Sequence, residues 1–298
     1  MVSQTLSNAA WMLVLTSTND YVKGAITVAR ALKRVKSQYP LVVLYTSAVS
    51  KGAQELLSGA GCILKPIEPI HPPGKTTYFA ERFVETWTKL AVWNQDEYER
   101  VVLLDADMLP LQNMDELMTI PLPDGDHVAA SHACICNPHN IKAYPKDWIP
   151  SNCAYTSSSA IKNDYFNSGL IVLTPSKNKF RGIVAQLYSV PDLSIYPFPD
   201  QDFLNEVFAT KWIPLPYIYN SLKPLSYAHE PMWDIQQVKN IHYILTPKPW
   251  SVEMENEQEE VDEKEKRYYP QYRLWWDLYN DIGLDTISII NKTLTSGY

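Results

Sequence analysis

Short continuous apolar runs alternate with stretches of helical period over the first part of the chain. Residues 11–16, opening on Trp11-Met12-Leu13-Val14-Leu15, read as a first strand and Asn19-Asp20 as a turn. Residues 22–35 read as a helix with Ile26, Ala29 and Leu32 at helical spacing. Leu41–Tyr45 is a second buried strand, residues 51–57 a helix, and Cys62–Leu64 a third, short strand after Gly59-Ala60-Gly61. Strand, helix and strand in this succession is the doubly wound α/β pattern. Residues 66–77 are proline-rich and must be loop. A long helix is expected over 78–95, with Phe79, Phe83, Trp87, Leu90 and Ala91 as its apolar stripe. Arg82, Glu85 and Lys89 fall on another face, whose plainest reading is solvated.

The next run, Val101-Val102-Leu103-Leu104, reads as a buried strand ending in Asp105-Ala106-Asp107. Met108-Leu109-Pro110 follows, where the proline is expected to stop regular pairing. A short helix near 114–118 and a strand over 128–131 lead into an irregular stretch, 132–164. Phe166–Leu173 is a strand with a polar, glycine-containing start, and 177–190 is helical. Pro197–Asp202 is a polar corner opening a helix over about 201–208. Short extended pieces at 212–216 and 217–220 precede a late strand, 241–244, running into Pro247-Lys248-Pro249-Trp250. Residues 253–266 are a charged, mostly acidic run, read as solvated, and 271–279 an amphipathic helix that docks on the body.

Composition narrows the classes. With 298 residues, 46% of them hydrophobic and 20% charged, the chain suits an ordinary soluble globular protein with one well-filled core. The net charge of -7 and the lack of a basic stripe argue against a nucleic-acid partner. Nine tryptophans and nineteen tyrosines supply flat rings that suit stacking on bases or sugars, and suit packing equally well. The first apolar run is too short and lacks the basic flank of a signal peptide, and no run approaches a membrane span. Four cysteines in a chain this long do not make a disulfide scaffold, so a cytoplasmic setting is expected.

Two carboxylates at the carboxyl end of a strand lie where open α/β sheets bind ligands, and they are costly there unless a cation or a reaction uses them. As hard oxygen donors they suit Mg²⁺ or Mn²⁺ bridging a diphosphate. Three more polar spots fall at strand ends or corners: Asn167-Ser168, Asp200-Gln201, and His242 with Lys248. His242 suits a third metal ligand, although a lone histidine on an apolar strand is more often a satisfied core residue. Lys248, in a proline-flanked loop, can offer a point charge to a leaving phosphate.

These features arrive in a recognisable order. The chain resembles the retaining nucleotide-sugar transferases of the glycogenin and galactinol synthase type, glycosyltransferase family 8. The matching residues are Leu15-Thr16-Ser17, Tyr21-Val22-Lys23-Gly24-Ala25, Thr88-Lys89-Leu90, Asp105-Ala106-Asp107 and Phe166-Asn167-Ser168-Gly169. Asp200-Gln201 with Asn205, Tyr219-Asn220, and His242 with Lys248-Pro249-Trp250 complete the set, over about residues 11–250.

The resemblance implies a single Rossmann-like, GT-A type domain with a mixed central sheet over 1–250. The acidic segment and last helix, 251–298, would pack on the same domain. It implies Leu15, Thr16, Ser17 and Tyr21 around the uracil and ribose of a UDP-sugar. Asp105, Asp107 and His242 would hold Mn²⁺ (or Mg²⁺), with Ala106 and Lys248 at the donor. Arg82 and Lys89 would meet the sugar or phosphates. Asn167, Ser168, Asp200 and Gln201 would surround the reacting carbon, with Asp200, Gln201 and Lys89 in the catalytic group. The acceptor would be a sugar, polyol or protein hydroxyl, and a homodimer is an expected assembly.

Two departures from the family pattern stand out. Leu245 replaces a usual glycine, and Pro197 replaces the aspartate that glycogenin carries three residues before its Asp-Gln pair. The corner Phe198-Pro199-Asp200-Gln201-Asp202 is closer to the galactinol synthase form. Tyr227, seven residues after Asn220, has the spacing of glycogenin's self-glucosylated tyrosine; a partly exposed aromatic near the site is the plainer reading.

His132, Cys134, Cys136 and His139 have zinc-ligand chemistry, but Cys-x-Cys is tighter than usual ligand spacing. Buried free thiols sharing one strand face is the preferred reading. The loop beyond, with Tyr144, Trp148, Cys153 and Tyr155, is expected to border the acceptor. An Asp-x-Asp phosphatase would place its motif near the first strand, and here it lies past residue 100. A binding module without turnover would not need all of Asp105, Asp107, His242, Lys248, Asp200 and Gln201.

Overall fold

The computed structural model of this protein describes residues 8–75, 85–156, 163–252 and 263–281. Its centre is a seven-stranded sheet. The strands are β1 (Ala9–Leu15), β2 (Leu41–Tyr45), β3 (Ile63–Pro66), β4 (Arg100–Leu104), β6 (Val128–His132), β7 (Phe166–Leu173) and β8 (Trp212–Leu215). The order across the sheet is β3-β2-β1-β4-β7-β6-β8. Strands β3, β2, β1 and β4 run parallel, and β7 is antiparallel to both neighbours. The sheet is therefore mixed, as expected.

Both faces are covered, so the central strands are apolar on both sides. In β1, Trp11, Leu13 and Leu15 pack into one cluster with α1 (Tyr21–Arg34), α2 (Lys51–Gly59) and α7 (Tyr269–Asn280). Ala10 and Met12 face a second cluster, holding Trp87 and Trp93 with residues of α3 (Lys177–Tyr188) and α4 (Pro199–Val207). β4 alternates likewise, with Val102 and Leu104 in the first cluster and Val101 and Leu103 in the second.

A second sheet carries part of the site. β5 (Met108–Pro110), β9 (Ser221–Leu222) and β10 (Asn240–His242) pair in the order β5-β10-β9. Pro110 does not stop pairing at its own position: it sits opposite Asn240 at the end of β5. Antiparallel pairing with His242 opposite Met108 is what sets the imidazole next to Asp107.

Several local expectations change. The described part of the expected helix over 78–95 is a 3₁₀ helix, Thr86–Asn94, with Trp87, Thr88, Leu90, Ala91, Val92 and Trp93 all buried. Wedged between sheet and helices, the segment leaves only Thr86 and Lys89 toward the cleft and Asn94 exposed, so it is not the amphipathic α-helix expected. Its upstream part, with Phe79, Arg82 and Phe83, lies outside the described residues. Tyr217–Tyr219 is a 3₁₀ turn rather than an extended piece.

α7 spans the expected final helix and packs against α1 and the Trp250 turn. Trp275 lies 5.8 Å from Trp250, and the Arg30 side chain donates to the Asp281 carbonyl at 2.6 Å. Of the acidic run, 253–262 lie outside the described residues and Glu263–Lys266 form a short helix, α6.

Candidate active site

The site forms where β4 ends. The Asp105 N–H donates to the Gly169 carbonyl (2.9 Å) and the Tyr243 N–H to the Asp107 carbonyl (2.8 Å), so the Asp-Ala-Asp turn is pinned between β7 and β10. Two glycines make room for it. A Cβ on Gly24 of α1 would stand 2.2 Å from the Ala106 carbonyl oxygen, so only glycine lets α1 press against the turn. A Cβ on Gly169 would stand 2.3 Å from His242 Cε1.

One ligand atom from each of Asp105, Asp107 and His242 comes together within 4.8 Å. His242 Nε2 lies 3.3 Å from Asp107 Oδ1 and 3.7 Å from Asp105 Oδ2. The Asn220 amide donates to Asn167 Oδ1 at 2.8 Å, which leaves its own Oδ1 to accept from His242 Nδ1 at 2.9 Å. With the proton held on Nδ1, Nε2 turns a lone pair toward the carboxylates. Two hard oxygens and one oriented imidazole fit a Mn²⁺-like ion, and they fit Mg²⁺ less closely.

Two lysines flank the carboxylates. Lys248 Nζ, itself buried, donates to Asp107 and to the Tyr243 carbonyl (2.8 Å). Burial works to raise the Asp107 carboxyl pKa, but Lys248 and His242 outweigh it and hold the group well below the usual range. Lys89 Nζ bridges Asp105 (2.9 Å) and Asp200 (2.8 Å). Burial disfavours its charge, and the two carboxylates more than compensate, so it stays an ammonium well past its ordinary range. The Asp105 carboxyl is pushed above its ordinary range, chiefly by burial.

Asp200 and Gln201 open α4, with Pro199 in its first turn and the helix N-terminus favouring the acids there. Asn205 clamps α4 to β7: its Oδ1 accepts from the Phe166 N–H (2.8 Å) and its amide donates to the Phe166 carbonyl (2.9 Å). That clamp sets Asp200-Gln201 against Asn167-Ser168. Ser168 Oγ donates to Asp200 Oδ2 at 2.9 Å. Gln201 Oε1 accepts from Asn167 Nδ2 (2.8 Å) and the Ser168 N–H (3.3 Å), while its Nε2 donates to Tyr165 Oη (3.0 Å). Burial raises the neighbouring Asp202 carboxyl to about 6, against the Tyr165 hydroxyl that donates to it.

Asp105, Asp107, His242, Lys248, Lys89, Asn167, Ser168, Asp200 and Gln201 open on one cleft of about 950 Å³. Leu15, Thr16, Ser17, Tyr21 and Ala106 also line it. So do Tyr144, Trp148 and Phe198, with Trp148 stacked on Phe198 at 5.0 Å and Tyr144 edge-on to both. The loop expected at the acceptor therefore borders the same cleft.

Every site residue singled out from the sequence lies at this cleft except Arg82, which falls outside the described residues. Asn220 and Tyr165 were not assigned site roles. Asn220 stood in the ordered pattern, and Tyr165 gave no signal. Leu245 has φ +66°, so its backbone keeps the left-handed conformation that a glycine would favour, at some steric cost. Tyr227 is 55% exposed, with the Arg267 guanidinium 3.6 Å from its ring centroid, and does not line the cleft. No helix among the described residues is long and apolar enough to cross a membrane.

This architecture is a GT-A glycosyltransferase fold, seen in two similar solved structures. The galactosyltransferase LgtC, in complex with donor and acceptor sugar analogues, superposes with a TM-score of 0.62 at 16% identity, over 91% of this chain and 95% of that one. GlyE of Streptococcus pneumoniae TIGR4 superposes with a TM-score of 0.60 at 16% identity, over 97% of this chain; the chain spans 64% of that protein's length.

The family model for glycosyl transferase family 8 matches residues 12–253, and the chain belongs to that family; it is a glycosyltransferase. Among curated relatives, galactinol synthase 1 of Ajuga reptans is 33% identical over 92% of this chain and 82% of its own length. Galactinol synthase 7 of Arabidopsis thaliana is 32% identical over 93% of this chain and 83% of its own.

Proposed function

We propose that this enzyme transfers a hexosyl group from a UDP-sugar to a hydroxyl acceptor with retention of configuration, and that it depends on Mn²⁺. The observation that carries the reading is the convergence of Asp105, Asp107 and His242 beside Lys248, in one cleft with Asp200 and Gln201, where Lys89 links Asp105 to Asp200. The similarity to galactinol synthases puts a galactosyl donor and a cyclic polyol acceptor first among the pairs to test.

Asp105, Asp107 and His242 would hold the metal, which when bound would supply electrostatic stabilisation to the departing diphosphate. Lys248 adds a buried positive charge at the same place, so the leaving group needs no proton. Leu15, Thr16, Ser17 and Tyr21 receive the nucleoside, and Ala106 lies under it. Lys89 ties Asp200 and Asp105 together, fixing the sugar-facing carboxylate relative to the diphosphate end.

Two routes give retention, same-face attack and double displacement. The Gln201 carboxamide oxygen already accepts two hydrogen bonds. Asp200 has only Oδ2 engaged among the described residues, which favours it over Gln201 as the group facing the anomeric carbon. A cytoplasmic setting goes with this reading, because a reducing compartment keeps the four cysteines as thiols.

The test is UDP release from a panel of UDP-sugars with Mn²⁺, with and without polyol and sugar acceptors. Acceptor-stimulated release with one donor is expected. Binding of donors without turnover of any of them would replace the reading with a binding module.

A further inference from the structure

Outside the Asp105–Asp107–His242 site, a second set of ligand-type side chains converges. Cys134 and Cys136 leave β6 in extended loop rather than on a strand face. They meet Cys153, 19 residues beyond Cys134 and fully buried, and His229, which caps the end of α5 (Leu225–Ala228). The four ligand atoms lie within 4.8 Å of one another. His229 Nε2 stands 3.3 Å from the Cys134 sulfur, 3.2 Å from Cys136 and 3.5 Å from Cys153, and the Cys134 and Cys153 sulfurs are 4.0 Å apart.

Bond lengths of about 2.3 Å to thiolate and about 2.05 Å to imidazole put the sulfur–nitrogen edge of a zinc tetrahedron near about 3.6 Å and the sulfur–sulfur edge near about 3.8 Å. The cluster has these dimensions. Soft thiolates with one imidazole, closed to further ligands, suit zinc and not the hard ion expected between carboxylates. A disulfide between Cys134 and Cys153 would use two of the sulfurs and leave a third thiol and an imidazole aimed at the same point. The histidines nearest in sequence are not part of the cluster. His132 packs edge-on to Trp212 (4.8 Å), and His139 Nε2 lies 3.1 Å from the Tyr268 hydroxyl.

We propose that Cys134, Cys136, Cys153 and His229 bind one structural zinc ion that staples the loop wall of the cleft to the end of α5. The ion takes three thiolates and one neutral imidazole, releases three protons, and leaves a complex of one negative charge with no electron transferred. Tyr155 buttresses it: its ring is edge-on to His229 (5.7 Å), and its hydroxyl donates to the His132 carbonyl (2.6 Å). Cys134 also lines the cleft, so the staple lies directly behind the substrate-facing surface.

The test is zinc content by mass spectrometry of the full chain purified under reducing conditions, with no nucleotide sugar present. One zinc per chain is expected. Cys153→Ser and His229→Asn should each lower it at least fivefold, whereas His132→Asn, His139→Asn and Asp107→Ala should keep it. Should the ligand variants fail to fold, exchange of the wild-type protein with Co²⁺ serves instead: thiolate-to-cobalt charge-transfer bands with a tetrahedral visible spectrum support the site. A reduced, folded wild-type chain that takes up neither zinc nor Co²⁺ overturns the proposal. So does a Cys134–Cys153 disulfide mapped in the native protein, or zinc loss in His132→Asn with retention in His229→Asn.

Discussion

Asp105, Asp107 and His242 sit at the ends of paired strands, and main-chain hydrogen bonds to Gly169 and Tyr243 hold their backbone on two sides. The facing wall, residues 133–156, has no strand and one 3₁₀ turn, Pro150–Asn152, within its length. It is held by side chains instead: the Trp148–Phe198 stack, Tyr155, and the thiol–imidazole cluster. Strand-borne groups need no further support to stay in place. A loop of this length does, because it must offset its own ordering entropy with contacts the sheet does not supply. On the proposed reading, the donor side would be built by topology and the acceptor side by local side-chain contacts, which would leave the latter the freer one to suit different acceptors.

The largest test of this contrast removes the donor wall's function without touching its frame. Asp107→Ala is expected to cut transfer by ~10³-fold, since metal and Lys248 contacts are worth several kcal/mol of charge stabilisation. Mn²⁺-dependent UDP binding, followed by calorimetry, should vanish while zinc content stays. Binding of UDP unchanged from wild type would break the metal assignment.

Gly169→Ala attacks the frame itself. The added methyl meets His242 and Met108 Cε (2.9 Å), and a loss of ~1–3 kcal/mol in unfolding free energy is expected by denaturant titration, with Mn²⁺ affinity lowered in parallel. Chelation of zinc with the Mn²⁺ site then replenished should raise acceptor KM about tenfold, ~1.4 kcal/mol, and leave donor KM within about twofold. An equal rise in both would show that the two walls are not independent. Shortening the loop between residues 138 and 150 should likewise impair transfer to acceptor more than donor hydrolysis.

A further test lies behind these residues. Lys223 is buried, with its ammonium donating to the Tyr272 hydroxyl at 2.8 Å, and burial lowers it from an ordinary 10.5 to about 8. Between those values the unfolded chain binds more protons than the folded one, so stability should climb as pH rises from about 8 to 10.5. The contribution is on the order of 3 kcal/mol. Lys223→Met should flatten that climb in melting curves and be neutral or stabilising at pH 7; an unchanged pH profile would remove Lys223 as its source.

Much of the scaffold was legible in the chain. Strands such as Leu41–Tyr45 and the Leu170–Leu173 end of β7 announced themselves, because a strand buried on both faces must be continuously apolar. The segment at 86–94 did not. Its helical period was real in composition, yet packing on all sides set a 3₁₀ path that no local pattern encodes. β5 was hidden as well, since three residues ending in proline carry no strand signal until β10 arrives to pair with them.

The sequence by itself determined the alternation of apolar runs, the donor chemistry of Asp105, Asp107, His242 and Lys248, and the ordered pattern that marks the family. Chemical identity and spacing along the chain are properties of the sequence. Only the tertiary structure decided which of those groups meet. The register of β5 against β10 brought His242 to Asp107 across 135 residues. The same is true of the thiols: neighbours in sequence pointed to His132 and His139, and the fold supplied Cys153 and His229. A ligand set is a distance relation in space, and distances between remote residues are fixed by strand pairing and loop packing, which local sequence does not contain.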